Sequence, residues 1–252
     1  MNRMHPPRPA ALNCWRRLRW LALLGWLLFT PVWAEEPPPS FTAVYAISLK
    51  GVTLGRLALD FARPDTGRYR VHSRMEATGL ARLLQGLEVD ETSEGTLTHA
   101  GFQPETYQYA RHQKKRDKRF GLAFDWAARL VRRTNKPEAS PQTLAPHTLD
   151  KAVLLPAIMR DLSLKGQTNT VLVADDDRVK TYALERVAGP PLSFEGRSME
   201  VVVVSYGNPD SGRRTQLWCA PALGYVPLRI EYRERDGKVT RGTLQSFQQH
   251  PP

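Results

Sequence analysis

Apolar and polar residues alternate along most of the chain after residue 40, which is the pattern of β-strands. The clearest alternating segments are Tyr45–Leu49, Leu57–Phe61, Tyr69–Met75, Phe120–Trp126 and Val226–Tyr232. A strand with one apolar and one polar face is typical of an antiparallel sheet that is solvated on one side. After residue 40, only Val201–Val204 resembles the continuous apolar run of a strand that is buried on both faces.

Turn signals separate these segments. Pro64–Gly67 lies between two of them, and Asp236-Gly237 lies between two others, which is the strongest short hairpin signal in the chain. The spacing gives about a dozen strands, as expected of an all-β domain. We therefore predict a mainly β fold, in which a long antiparallel meander forms a curved sheet, an open barrel or a sandwich.

One amphipathic helix is predicted within this meander, over residues 148–164. Thr148 can cap its N-terminus, Asp150 suits the first turn, and Gly166 can end it. Its apolar residues recur at helical spacing and form one broad stripe that can pack on the sheet. Pro156 is expected to kink the helix. The helix either plugs one end of the sheet or acts as a lid over a cavity, and the sequence leaves both open.

The first 34 residues have the pattern of a secretory signal peptide. They contain five arginines and no acidic residue, an apolar stretch at Trp20–Phe29, and a small residue, Ala34, at the cleavage position. The alternative is a retained membrane anchor, but the uncharged stretch that ends at Ala34 is shorter than the roughly 20 residues that span a bilayer. We expect cleavage after Ala34, a periplasmic protein, a proline-rich linker at 35–40 and a single β-rich domain at 41–248.

Basic residues outnumber acidic ones, with 36 Lys and Arg against 25 Asp and Glu. Without residues 1–34 and their five arginines, the net charge falls from +11 to +6. The sharpest concentration is Arg111–Arg119, for which we expect contact with an anionic surface, either lipid headgroups or an acidic polysaccharide. The residues concerned are Arg111, Lys114, Lys115, Arg116, Lys118 and Arg119. The alternative is that these charges protect a sheet edge, and export argues against a nucleic acid partner.

Residues suited to catalysis or metal binding are scarce. None of the six histidines lies three or four residues from another, so the sequence has no local metal-ligand spacing. Cys219 is the one cysteine after residue 34, which excludes an internal disulfide and favours a buried thiol. The acids of Glu88–Glu94 are expected mainly on a solvated strand face, with Glu91 on the other face, and Asp175–Asp177 on a hairpin turn with solvated charges. We assign no catalytic, metal or cofactor-binding residue.

The order of several short motifs is similar to that of a known family. These are Tyr45–Leu49 with Gly51 and Leu54-Gly55, Phe102–Tyr107, Phe124–Trp126, Leu149–Leu155, Leu217-Trp218, Val226–Ile230 and Asp236-Gly237. Over Phe41–Phe247 the chain resembles the bacterial exported family called domain of unknown function 3108. The resemblance implies a mostly β protein of the Gram-negative envelope and supplies no catalytic residue. Asp150–Val153 departs from the Asp-x-Leu-Ser opening of the helix in that family, so no role for that serine is transferred.

Two functional hypotheses from different classes follow. The first is a non-catalytic periplasmic module that binds an apolar or lipid-like ligand under Leu149–Leu162, by fold-level analogy with lipoprotein carriers. Its expected lining residues are Tyr45, Tyr69, Phe124, Trp126, Leu154 and Ile158. The alternative is a structural protein that binds another envelope protein through a sheet edge. An enzyme ranks third because no nucleophile and base pair is visible. We expect no cofactor, and no transmembrane span after cleavage.

Overall fold

The structure is a computed structural model, and it describes residues 38–79, 81–82, 86–114, 116–207 and 211–250. The predicted signal peptide, its cleavage position and residues 35–37 of the predicted linker lie outside the described residues. Within them, fourteen strands form one antiparallel sheet. The strands are β1 Phe41–Leu49, β2 Val52–Ala62, β3 Arg68–Ala77, β4 Glu88–Thr98, β5 Gly101–His112, β6 Lys118–Asp125, β7 Leu130–Arg133, β8 Gln142–Thr143, β9 Thr170–Ala174, β10 Val179–Phe194, β11 Arg197–Gly207, β12 Arg214–Ala220, β13 Val226–Arg233 and β14 Val239–Gln249.

The first and last strands lie side by side in the middle of the sheet. From this β1–β14 pair, the chain meanders outward in both directions, so that β8 and β9 form the two edges. The result is a single curved, open, barrel-like sheet, which confirms the predicted antiparallel meander and excludes the sandwich. The basic run lies on β5 and the start of β6, and β7 pairs only with Leu122–Asp125 of β6, so Lys118–Phe120 has no neighbouring strand on that side among the described residues. The interpretation that these charges protect a sheet edge therefore stays a prediction.

One face of each strand contributes to the core, as the alternation predicted. On β1, Phe41, Ala43 and Tyr45 are buried, while the residues between them are partly exposed. We call this the inner face, and it packs around the helix α1, Leu154–Ser163. The buried cluster is rich in aromatic rings, such as Tyr69, which meets Phe102 edge to face at 5.0 Å. Burial of large rings in such arrangements stabilises the packing between the strands and the helix.

The connections between strands alternate between two ends of the sheet. The connections after β2, β4, β6, β10 and β12 lie at the helix end, where Arg160 of α1 donates a hydrogen bond to the carbonyl oxygen of His99 at 2.9 Å. The connections after β1, β3, β5, β9, β11 and β13 lie at the opposite end, which we call the mouth end. No helix of the described residues is long and apolar enough to cross a membrane.

The helix is shorter than the sequence predicted. It begins at Leu154, because Leu149 instead forms a parallel bridge with Val173 of the edge strand β9. The Thr148 hydroxyl donates to the carbonyl oxygen of Ala145 and does not cap the helix. Pro156 is the third helical residue, where its missing N–H would have no helical acceptor, so a mid-helix kink is not required.

The C-terminus of the helix also differs in detail from the expectation. Lys165 adopts a left-handed conformation with φ of 52°, and its N–H donates to the carbonyl oxygen of Leu162. Gly166 follows, and its N–H donates to the carbonyl oxygen of Asp161 at 2.7 Å. A Cβ at Gly166 would lie 2.2 Å from the Asp161 carboxylate, so glycine is needed for this close approach.

Candidate functional site

The inner face is filled at the helix end and open at the mouth end. A pocket of about 550 Å³, which we call the mouth pocket, opens there between the walls of β10 to β13 and the segment that precedes α1. Its lining combines hydroxyl groups and basic side chains. A floor of buried polar groups, which includes Ser93, Asp150 and Asp175, adjoins the pocket.

Hydroxyl groups from neighbouring strands form one wall of the mouth pocket. Tyr206, Thr215 and Tyr232 are directly opposite one another in β11, β12 and β13, so their side chains share the inner face. The ring of Tyr182 lies 6.0 Å from that of Tyr206. Burial raises the pKa of Tyr182 and raises that of Tyr206 to about 12. These phenols are therefore neutral at physiological pH and can donate hydrogen bonds.

Two lysines converge on one carboxylate at the base of this wall. Asp175, only 7% exposed, accepts from Lys151 and from Lys180 at 2.5 Å each. Burial alone would raise the pKa of Asp175, but the two ammonium groups lower it to about 2. The neighbouring Asp176 pairs with Lys118 at 2.7 Å and Arg133 at 2.9 Å. The expectation that this turn carries solvated charges is therefore wrong for Asp175 and Asp176, because basic side chains from other strands and from the segment before α1 form ion pairs with them.

The floor is a buried chain of hydrogen bonds across the barrel interior. Ser93, on the inner face of β4, donates to the Asp150 carboxylate at 2.5 Å. The Tyr69 hydroxyl lies 3.1 Å from the same serine, and the other Asp150 oxygen accepts the N–H of Val153 at 3.0 Å. Asp150 is fully buried, and burial raises its pKa to about 7 despite these bonds. Asp150 thus orders the turn that leads into α1.

A second acidic group lies beside this chain. Glu91 points to the inner face, as the alternation predicted, whereas its neighbours on β4 point outward, where Asp90 lies 2.9 Å from His72 and Glu94 lies 3.3 Å from Arg70. Burial raises the pKa of Glu91, and the Lys151 ammonium opposes that rise. The floor therefore carries two carboxyl groups that are easier to protonate than exposed ones.

The opposite part of the inner face at the mouth end is apolar. Leu57, Met75 and Val89 lie directly opposite one another in β2, β3 and β4, and each is half-buried. Ile47 continues this surface, and Gly242 faces it without a side chain. This set, the apolar wall, extends the core pattern to an end of the barrel that α1 does not fill. Together with the hydroxyl wall, it makes the mouth amphipathic.

A second pocket lies at the helix end. It has a volume of about 550 Å³ and runs along α1 beside Ala157, Ile158 and Leu164, with β9 and the β4–β5 connection as its other walls. We call it the α1 cleft. Val171 and Leu184 also line it, so it is mainly apolar. The α1 cleft lies beside the helix, whereas the ligand cavity predicted from the sequence was expected under the helix.

The structure packs most of the predicted ligand-lining residues against one another. Tyr45, Tyr69, Phe124, Leu154 and Ile158 all belong to the contiguous buried core. Of these, Ile158 also lines the α1 cleft. Trp126 is partly buried, and its indole N–H donates to the carbonyl oxygen of Pro104 at 2.7 Å. Whether any of them contacts a ligand stays a prediction.

The predicted basic run lies at the mouth end, around the β5–β6 hairpin. Arg111 is half-buried and donates to Gln113 at 2.6 Å, while Lys118 lies 5.2 Å above the Phe120 ring. Lys114, Arg116 and Arg119 are exposed, and Lys115 lies outside the described residues. The hairpin therefore places several positive charges on the rim of the mouth.

The sequence analysis missed the residues that make the mouth pocket. Tyr232 was recognised on the apolar face of its strand, but Tyr182 and Tyr206 were not singled out. Alternation within β10 and β11 was the available signal, because each tyrosine shares a face with a buried residue, Leu184 and Val204 respectively. Among the described residues, no group of three His, Cys, Asp or Glu could hold a metal ion. Cys219 is buried, as predicted, and burial raises its pKa.

Known structures support the fold and leave the site unassigned. The β-barrel-like protein of domain of unknown function DUF1849 from Brucella abortus matches with a TM-score of 0.54 and 13% identity, over 84% of this chain and 98% of that one. A putative outer membrane lipoprotein-sorting protein domain from Vibrio parahaemolyticus is 12% identical over 86% of this chain and 88% of that one. Its TM-score of 0.23 is too low to carry an argument.

Sequence comparison identifies the family. No curated protein matches the chain. The profile of the protein family of unknown function DUF3108 matches residues 44–244, which include every strand from β2 to β13 and part of β1 and of β14. The chain therefore belongs to the family of unknown function DUF3108.

Proposed function

We propose that this protein is a non-catalytic binding module of the bacterial envelope that holds an apolar or lipid-like ligand at the mouth end of its barrel. The observation that carries the proposal is the apolar wall of Leu57, Met75 and Val89. Its residues lie on the inner face and continue the core pattern, yet each keeps some solvent exposure. Covering such a surface with a ligand removes apolar area from water, at about 25 cal/mol per Å².

The proposed compartment is the periplasm. The signal peptide pattern of residues 1–34 supports export, and cleavage after Ala34 would release the β domain. The basic run, Arg111, Lys114, Lys115, Arg116, Lys118 and Arg119, supports transient contact with anionic lipid headgroups. Because the β5–β6 hairpin that carries its described residues lies at the mouth end, such contact would bring the mouth close to a membrane that contains the ligand.

Native mass spectrometry of the protein purified from the bacterial envelope tests this proposal. We expect a reproducible hydrophobic adduct on the wild-type protein. Met75→Asn should remove the adduct, because it places an amide on the apolar wall. Val52→Asn is the matched control, since Val52 lies near the mouth on β2 and is 62% exposed. Trp126→Ala changes the helix end, so loss of the adduct there and not in Met75→Asn would contradict the mouth as the site.

A second function, binding of another envelope protein by strand addition, is favoured by one observation. The outer edge of β9 is covered only in part, because the bridge from Leu149 occupies the backbone of Leu172 and Ala174. Thr170 lies beyond that bridge and beside the α1 cleft, where an added strand could place apolar side chains. A photo-crosslinker at Thr170 should then capture one specific envelope protein that the same group at exposed Ser193 does not capture.

A further inference from the structure

Basic side chains dominate the mouth pocket. Its lining contains five basic residues, Lys151, Arg178, Lys180, Arg213 and Arg214, and one acidic residue, Asp175. Arg178 and Arg214 are paired outside the pocket, with Asp177 and Glu185. Arg213 is exposed and forms no ion pair with an acid of the described chain. The pocket therefore keeps an excess of positive charge after its internal pairs are formed.

Like charges also face each other next to this pocket, on the outer face of the sheet. Arg214 of β12 is directly opposite Arg233 of β13, a cross-strand pairing that costs stability between like charges. Arg213 and Arg233 line an adjoining pocket together, and Arg235 approaches Gly212 in the same β11–β12 connection. These arginines raise the positive potential on the β12–β13 side of the mouth pocket, and Arg213, which lines the pocket itself, can contact an anion within it directly.

The lysines of the pocket keep donors for a ligand. Lys151 and Lys180 each direct one ammonium contact to Asp175, and an ammonium group carries three N–H donors. The neutral hydroxyls of Tyr206, Thr215 and Tyr232 lie on the wall next to them. A tetrahedral or planar oxyanion can accept bonds from both sets, whereas an uncharged polar group would gain little from the excess cations.

We propose that the mouth pocket binds the anionic headgroup, phosphate or carboxylate, of an amphiphile whose apolar part covers the apolar wall. Lys180 and Arg213 are the charged donors, and the hydroxyls of Tyr206 and Tyr232 are the neutral ones. The assignment of the apolar part rests on the proposed function, but the anion site itself rests on the pocket alone. The two sources of the same chemistry, a lipid headgroup and a free phosphate, are separated by experiment.

Calorimetric titration of the exported protein with soluble single-chain lipids tests the assignment. Lysophosphatidylglycerol carries a net negative charge, and lysophosphatidylcholine carries the same type of chain with no net charge. We expect the anionic lipid to bind about tenfold more tightly, as expected when one charge-assisted hydrogen bond is added. Arg213→Gln and Lys180→Gln should each weaken binding of the anionic lipid by about tenfold and leave the neutral lipid nearly unchanged.

Matched variants separate a specific site from overall charge. Arg197→Gln removes an exposed arginine at the helix end of β11, so it should not change either affinity. Tyr232→Phe removes only a hydroxyl and should weaken the anionic lipid alone. An equal loss in Arg197→Gln and Arg213→Gln would overturn the proposal, because it would assign the effect to net charge.

The remaining outcomes distinguish this proposal from the proposed function. Equal affinity for the two lipids would overturn the anion site and leave the binding module intact. Binding of inorganic phosphate that depends on Lys180 and Arg213, without binding of either lipid, would support the anion site with a free anion as its ligand and contradict the lipid-binding module. Binding of neither lipid and no phosphate would overturn both.

Discussion

The buried carboxyl group of Asp150 should make the stability of this protein depend on pH in a defined direction. Asp150 is fully buried between Ser93 and the N–H of Val153, and burial raises its pKa from 3.8 to about 7. Asp150→Asn keeps the size of the side chain, its amide oxygen can accept the N–H of Val153 and its NH2 group can donate to the Ser93 hydroxyl, but it cannot ionise. The difference between the two proteins therefore isolates the ionisation of this group.

The sign and size of the effect follow from proton linkage. The folded state holds the proton more tightly than the unfolded state, so the contribution of Asp150 is fully present below pH 3.8 and is lost as the pH rises through about 7. A pKa difference of about three units corresponds to roughly 4 kcal/mol of unfolding free energy. Asp175, whose pKa is lowered to about 2, acts in the opposite direction, and its contribution is lost as the pH falls from about 4 to 2.

Urea unfolding at a series of pH values between 4 and 9 measures this difference, with the fluorescence of Trp126 and Trp218 as the signal. The free energy of unfolding of wild type minus that of Asp150→Asn should fall steadily between pH 4 and 7 and then level off. Glu91, whose pKa is also raised, contributes to the unfolding free energy of both proteins, so its contribution largely cancels in the difference. If the two curves stay parallel across the whole range, Asp150 is not a buried group with a raised pKa, and the reasoning fails.

Three further substitutions test the packing around the site. Tyr45→Phe should raise the free energy of unfolding by about 1 kcal/mol in urea, because its buried hydroxyl has no hydrogen-bond partner among the described residues; a loss of stability would reveal a missed partner. Ile158→Ala should cost about 3 kcal/mol, because the side chain is 2% exposed, and Leu155→Ala, on a less buried position of α1, should cost clearly less. Gly95→Ala should cost about 2 kcal/mol, since its Cβ would lie 2.2 Å from the carbonyl oxygen of Gln103; an unchanged melting temperature would contradict this contact.

Local alternation predicts strands well in this protein because most strands have one buried face. The inner residues of β1, β2 and β3 are those that alternation assigned to the apolar face, and Glu91 points inward as its position in β4 predicted. The predicted start of α1 was wrong for a physical reason. Residues 149–153 show helical spacing, but Leu149 gains two backbone hydrogen bonds from β9, which lies more than 20 residues later in the chain. That competing partner cannot be read from a local pattern.

The aspartates at the mouth end also have partners that are distant in sequence and that a local pattern does not reveal. A run of three aspartates looks like a solvated turn when only its neighbours are considered. Its real environment comes from Lys151, Lys118 and Arg133, which belong to the segment before α1, to β6 and to β7. The order of strands brings these cations to the turn, and that order depends on the pairing of β1 with β14. The burial of Asp175 and the cation pairs of Asp176 are thus consequences of topology.

A site built by strand register leaves no motif in the sequence. Tyr206, Thr215 and Tyr232 come from three strands, each as one inward position among several, and only their pairing makes them one wall. Catalytic and metal sites constrain the chemistry of several residues at fixed spacing, so they are often visible in sequence. An amphipathic surface that binds a lipid-like ligand needs only the right face of each strand to be apolar, hydroxyl-bearing or basic. The absence of a recognisable motif is therefore what the proposed binding site leads one to expect, and the convergence of Lys151 and Lys180 on Asp175 is the feature that best distinguishes the mouth pocket from ordinary strand alternation.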